Sequence, residues 1–261
     1  MKFKRKKTLA TTLVETLPPI GLAGILATSI LPALSKAKAR ANRITCVSNL
    51  KHVGSAFKSF ANDNDSRYPW LLSDTDKIAH GKGFGFADGS WVYETQNLFA
   101  HPGIKSDLGT AKILVSPLDP ERQAINDTID FAQVKTKVDN AGHSYGVGCG
   151  DAGGKGADDL RPSTVLIMTR NISAENLSGS TGNGAAATIS VQANWLGAGK
   201  QPTNPRVMAS LNSNAGQIGQ SDGSAGLSND LDLAWKTKAH HSELGGNYKG
   251  TASGVIDTPN D

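Results

Sequence analysis

Cysteine is scarce in this chain: Cys46 and Cys149 are the only two in 261 residues. Neither has metal-ligand spacing to another cysteine or to a histidine, which excludes a zinc knuckle or ribbon. Two readings stay open for the pair, a single disulfide in an oxidising compartment or two separate buried thiols, because separation along the chain says nothing about geometry. Catalytic signatures are missing as well. No His-Glu-x-x-His pair occurs, and the two Gly-x-Ser-x-Gly matches, 142–146 and 219–223, lie in segments expected as a strand and a hairpin and not in a strand-to-helix elbow, so no residue is nominated as catalytic and no enzymatic activity is expected. "GCGDAG" at 148–153 matches Gly-x-Gly-x-x-Gly, but "GKGADDLRP" follows it where a dinucleotide site needs a helix N-terminus. The stretch reads as a glycine-rich turn.

A positive field is absent from most of the molecule. Lys2, Lys4, Arg5, Lys6 and Lys7 stand in the first ten residues with no acid among them, and removing those five from 27 basic residues leaves 22 against 23 acidic ones. No net attraction for phosphates remains, which argues against a nucleic-acid partner. The basic cluster suits an anchor that holds a chain end on the cytoplasmic side of a membrane.

Behind that cluster lies what the chain does have, an apolar segment at 11–34 with one acid, Glu15. Its length suffices for a bilayer core of about 30 Å. Pro18, Pro19, Gly21 and Gly24 interrupt it, and they predict a helix that restarts at the proline pair. An ordinary signal peptide, cut at the small residues of Ala37-Lys38-Ala39, is one reading of this region. An ionised carboxylate in lipid is expensive and calls for a partner.

"KKTLATTLVETL" resembles the processing site of type IV prepilins and type II secretion pseudopilins. The resemblance places cleavage between Ala10 and Thr11, makes Glu15 the fifth residue of the mature chain, and sets Pro32 where the family commonly has a kinking proline. "LPALSKAKARANRITCVSNLKHVGSAFKSFANDNDSRYPW" is similar to the stretch after the membrane segment in the large pseudopilin-like families of Verrucomicrobia and Planctomycetes, and "KILVSPLDPER", "SYGVGCGDA" and "AGQIGQSDGS" resemble their globular part. What this implies is a structural subunit of a type II secretion or type IV pilus-like fibre. It would sit as a single-pass protein in a bacterial inner membrane, with its globular domain in the periplasm or at the cell surface. Its partners would be a prepilin peptidase, other pseudopilins, an inner-membrane assembly platform and membrane lipid. Cleavage would leave an α-amino charge at Thr11, four residues from Glu15, and opposite charges attract strongly where water is excluded. No cofactor is implied. Some major pseudopilins hold calcium near the C-terminus, and Asp222, Asp230 and Asp232 are the weak candidates here; turn and cap roles explain all three equally.

Downstream, apolar positions from Leu34 through Ile44, Leu50 and Phe57 recur at spacings of three and four, which predicts an amphipathic helix over 35–62, bent at Pro32. Asn62 to Asp65 and Pro69 end it. Short strands are expected around "SWVYE", "KILVS", "HSYGVG", "STVLIMTR", "ATISVQANW" and "GQIGQ", with a hairpin at Asp222-Gly223 and a short helix capped by Ser228 or Asn229. His240 and His241 read as a solvent-facing doublet. The expected fold is α+β and pilin-like: a long N-terminal helix, partly transmembrane, then a small antiparallel β-sheet domain with long loops. The expected parts are a leader at 1–10, a membrane segment at 11–34, its amphipathic continuation at 35–62, and a β-rich domain at 67–261 with a loose tail. The rival reading is an exported β-rich binding module, with Trp70, Trp91, Trp195 and Trp235 available to stack on carbohydrate.

Overall fold

A computed structural model of the chain describes residues 13–124, 131, 133–134, 136–150, 156–173, 194–198, 207–212 and 214–243. By internal contacts the chain divides into two units, Met1–Ala41 and Asn42–Asp261. The architecture is α+β.

Helix α1 spans Leu13–Asp63. The expected restart at Pro18 and Pro19 does not occur, and helical backbone continues through Pro32. An interior proline removes one backbone hydrogen bond and costs about 3 kcal/mol, which the remaining turns of a long helix offset. The predicted stop is where the chain stops: Asp65 and Ser66 adopt left-handed φ values of 55° and 59°. Ser66 N closes the last turn onto Ala61 O at 2.8 Å.

In the larger unit, helices α2 (Asp74–Lys82), α3 (Thr95–Ala100) and α4 (Pro102–Leu108) follow α1. Two segments expected as strands are 3-10 turns instead, Ser90–Tyr93 and Ala111–Leu114. In the first, neighbouring Trp91 and Val92 are both buried, which an alternating strand cannot do on one face. In the second, Ala111 and Leu114 are buried at the three-residue repeat of a 3-10 turn, and Thr110 Oγ1 accepts from Lys112 N.

Among the described residues the strands are β1 (Tyr145–Val147), β2 (Val165–Thr169), β3 (Gly197–Ala198), β4 (Met208–Asn212), β5 (Gly216–Gln220) and β6 (Ala225–Ser228), followed by helix α5 (Asp230–Glu243). The main sheet has the order β1-β2-β5-β6 with every neighbour antiparallel, while β3 and β4 form a small parallel pair. The expected strand at 187–195 lies outside the described residues except for Asn194 and Trp195; Trp195 makes an antiparallel bridge to Ile172. The expected hairpin joins β5 to β6: Gly223 N returns to Gln220 O at 3.0 Å, and Gly223 supplies the left-handed φ of 84° that closes this type of loop.

One face of the sheet carries the large core with Cys46, Leu50, Val53, Phe57 and Phe60 from α1. The other carries Val165, Met168, Ile172, Trp195 and Ile218 under Leu233 of α5. At Gly216 a Cβ would lie 2.2 Å from the Trp195 ring, so the indole packs directly on strand backbone and only glycine fits. Asn229 caps α5, its Oδ1 accepting from Asp232 N at 2.8 Å. Leu233, Thr237 and His240 form the buried stripe of that helix, so His240 is not the solvent-facing residue expected; its Nδ1 accepts from Val165 N at 2.9 Å.

Candidate assembly surface and its buried anchor

Along the part of α1 that precedes Asn42, every described side chain from Ile30 to Ala41 is exposed, as are Pro19, Leu22, Leu26 and Thr28. Leu22, Leu26, Ile30 and Leu34 recur every four residues and are 62%, 53%, 58% and 61% exposed, with Leu31 beside them at 64%. Four-residue spacing places them on one helical stripe. Covering such side chains with an apolar partner is worth roughly 1.5–3 kcal/mol each, so the stripe is a surface that gains by being covered. Lys36, Lys38 and Arg40 follow it, all exposed, as a cationic collar.

Of the residues singled out from sequence, Ala10 and Thr11 lie outside the described residues. Glu15 is helical in backbone, in the first turn of α1, and its side chain is outside the description. Pro32 is exposed within the helix. Among the described residues, no helix is long and apolar enough to cross a membrane. Of the expected span at 11–34, Thr11, Thr12 and most side chains before Ile30 lie outside the described residues.

After Asn42 the same helix is an anchor. Cys46, Leu50, Val53, Phe57 and Phe60 are buried at spacings of four, three, four and three. Phe57 meets Tyr68, Trp70 and Phe99 with ring centroids 5.8–6.4 Å apart. Trp70 Nε1 donates to Ala157 O at 2.7 Å, tying the aromatic group to the loop before β2.

Cys46 sits where helix meets sheet. Its Sγ accepts from Ser116 Oγ at 3.2 Å and donates to Gln217 Oε1 at 3.3 Å, with Tyr145 Oη 3.6 Å away. Burial pushes this thiol up to about 11, against the lowering effect of the Ser116 hydrogen bond, so it stays protonated and unreactive. Cys149 has other company, its Sγ donating to Tyr93 O at 3.3 Å. The two thiols are not joined, so of the two readings left open the disulfide is the one that fails.

A second polar feature gave no sequence signal. Arg170 is fully buried and grips Asp119 with two parallel bonds, Nε to Oδ2 at 2.6 Å and Nη2 to Oδ1 at 2.8 Å; Nη2 also reaches Glu121 Oε2 at 2.9 Å. Paired this way, both charges are satisfied and the pair ties the loop after the Ala111–Leu114 turn to the end of β2. Two histidines are held neutral. Burial lowers His101 to about 4, helped by neighbouring His80, and burial lowers His143 to about 4 against the raising effect of its bond to Asp139 O. His101 stacks on Trp91 at 4.8 Å and accepts from Gly103 N.

The calcium candidates do not converge. Asp222 accepts from Ser224 N in the hairpin, Asp230 accepts from Trp195 N, and Asp232 pairs with Lys236 at 3.2 Å. Among the described residues no three His, Cys, Asp or Glu side chains are grouped to hold a metal. Three tryptophans of the carbohydrate reading are core residues, Trp70, Trp91 and Trp195 being at most 5% exposed; Trp235 is 55% exposed.

No protein-family model, no curated protein and no solved structure matches this chain.

Proposed function

We propose that this chain is a pseudopilin-like structural subunit, processed between Ala10 and Thr11 by a prepilin peptidase and assembled through its N-terminal helix into a type II secretion or type IV pilus-like fibre. The observation that carries the reading is the contrast within α1: an exposed stripe of Leu22, Leu26, Ile30 and Leu34 on one stretch, and a fully committed core stripe on the next. A helix anchored at one end and apolar at the other suits packing against sister helices and lipid. In this reading the stripe is inserted at the inner membrane, the cationic collar of Lys36, Lys38 and Arg40 meets headgroups, and the β-rich unit lies in the periplasm or at the cell surface.

Glu15 then has a purpose. The α-amino group created at Thr11 is four residues away along the chain and offers the carboxylate a cationic partner, on its own chain or a neighbour's. The work is mechanical, and the proposal assigns no catalytic step and no cofactor.

N-terminal sequencing of the protein recovered from membranes tests the processing step: Thr11 is expected, and a start at Arg40 with a freely soluble product would instead favour the exported binding module. Glu15→Ala should leave expression and membrane association intact and lower incorporation into assemblies. Unchanged incorporation would sink the pairing role.

A further inference from the structure

The main sheet has two edges that are treated differently. At the β1 edge, the outward amide of Val147 donates to Thr95 Oγ1 at 3.3 Å. At the β6 edge no such bond is made among the described residues. Residue pairs in an antiparallel ladder alternate between hydrogen-bonded and non-bonded. With Gln220 N bonded to Ser224 O across the loop, the pairs Ile218 with Gly226 and Gly216 with Ser228 are the bonded ones. The amides and carbonyls of Ala225 and Leu227 therefore point away from the sheet, and among the described residues they meet no partner. Natural edges are commonly guarded by charge, proline or a bulge. "AGLS" at 225–228 has no charge and no proline, its register is unbroken, and Leu227 is 59% exposed.

We infer that β6 is a self-association edge, pairing antiparallel with β6 of a second copy about a two-fold axis at Gly226. Ala225 of one copy then exchanges backbone bonds with Leu227 of the other, twice, and extends the sheet across both molecules. Gly226 faces its own copy at the close, non-bonded position, and nothing lies within 4 Å of where its Cβ would be.

The occupant is a second copy because the neighbouring helix is self-complementary. Helix α5 packs on β2 and β6, so pairing at β6 sets two α5 helices antiparallel. Each has Asp230 and Asp232 in its first turn and Lys236 and Lys238 two turns later, so the acidic end of one helix meets the basic end of the other. Exposed Leu231 and Trp235, four residues apart, add apolar surface on the same helix, with Lys238 Nζ 5.4 Å from the Trp235 ring centre. The pairing uses no residue of α1, so it stands apart from the fibre reading.

The test is oxidative cross-linking of the full-length chain in membranes carrying Gly226→Cys. Across a two-fold at this position the Cα atoms are about 4.5 Å apart, inside the range a disulfide accepts, and the native thiols are buried and do not compete. A dimer band should form with Gly226→Cys and not with Gly223→Cys, three residues away in the loop. Adding Leu227→Lys to Gly226→Cys should abolish the band while the thermal transition stays in place. Equal cross-linking of both cysteine variants, no cross-linking of either, or a band that survives Leu227→Lys would each overturn the inference. Processing at Thr11 and the Glu15→Ala phenotype should be unaffected by Leu227→Lys, which separates failure here from failure of the fibre reading.

Discussion

Two stretches of the same helix teach the main lesson. Residues 13–41 of α1 keep their described side chains exposed, Leu22 to Leu34 included; residues 42–63 bury Cys46, Leu50, Val53, Phe57 and Phe60. Both have helix-periodic apolar residues, and both are helical. The difference lies in what answers the stripe. The second stretch has Tyr68, Trp70, Phe99 and the sheet against it. In the first stretch the described side chains stay exposed, Leu22, Leu26, Ile30 and Leu34 at 53–62%, which leaves an apolar surface that gains by being covered.

The sharpest way to break the comparison is to attack the anchor. Asp119→Ala leaves buried Arg170 with only the more exposed Glu121 as an ionic partner and should cost about 3 kcal/mol, read as a lowered denaturant midpoint. The double change Asp119→Leu with Arg170→Met should recover most of it, and failure to do so would show that the pair does more than satisfy itself. Phe57→Ala should cost about the same, roughly 3–5 kcal/mol, by opening a cavity among three aromatic neighbours.

Acid should act on the anchor too. His101 and His143 bind protons less readily folded than unfolded, their folded values of about 4 lying below the ordinary 6.5. The unfolded chain therefore takes up protons first, and stability present above pH 6.5 is lost as pH falls toward 4. The expected slope is at most about 1.4 kcal/mol per pH unit for each histidine over that window. A melting temperature unchanged between pH 7 and pH 4.5 would contradict the buried, neutral assignment of both rings.

The smallest stability effect is expected on the other stretch. Leu22→Ser and Leu26→Ser should change unfolding free energy by no more than about 0.5 kcal/mol, because neither side chain is packed in the core. Their effect should appear in membrane association and assembly instead. A large stability loss would mean that the stripe is covered within a single molecule.

Much of the local structure was legible. Asn62 to Asp65 announce the end of α1, Asp222-Gly223 the hairpin, and Asn229 the cap of α5, because each depends on the conformational preference of a few adjacent residues. The amphipathic run was legible from Leu50 to Ala61, whereas Leu34 and Ile44, placed on the same stripe, are 61% and 71% exposed. The short 3-10 turns were not, since "SWVY" and "KIL" are strand-like in composition and only the packing around Trp91 and Leu114 decides their backbone. The continuity of α1 through Pro18 and Pro19 was also misjudged: a local rule about proline yields to the cooperativity of a long helix.

By itself the sequence determined the asymmetry of the chain: a basic start, an apolar stretch with a lone acid at Glu15, a helix with a fixed end, and turns where glycine and aspartate demand them. These are properties of neighbours along the backbone. Tertiary structure alone decided that Asp119 meets Arg170 across 51 positions, that Cys46 and Cys149 have separate partners, that His240 is buried, and that the outward amide of Val147 in β1 meets Thr95. Those outcomes depend on which distant surfaces remove one another from water, and no local preference encodes that choice.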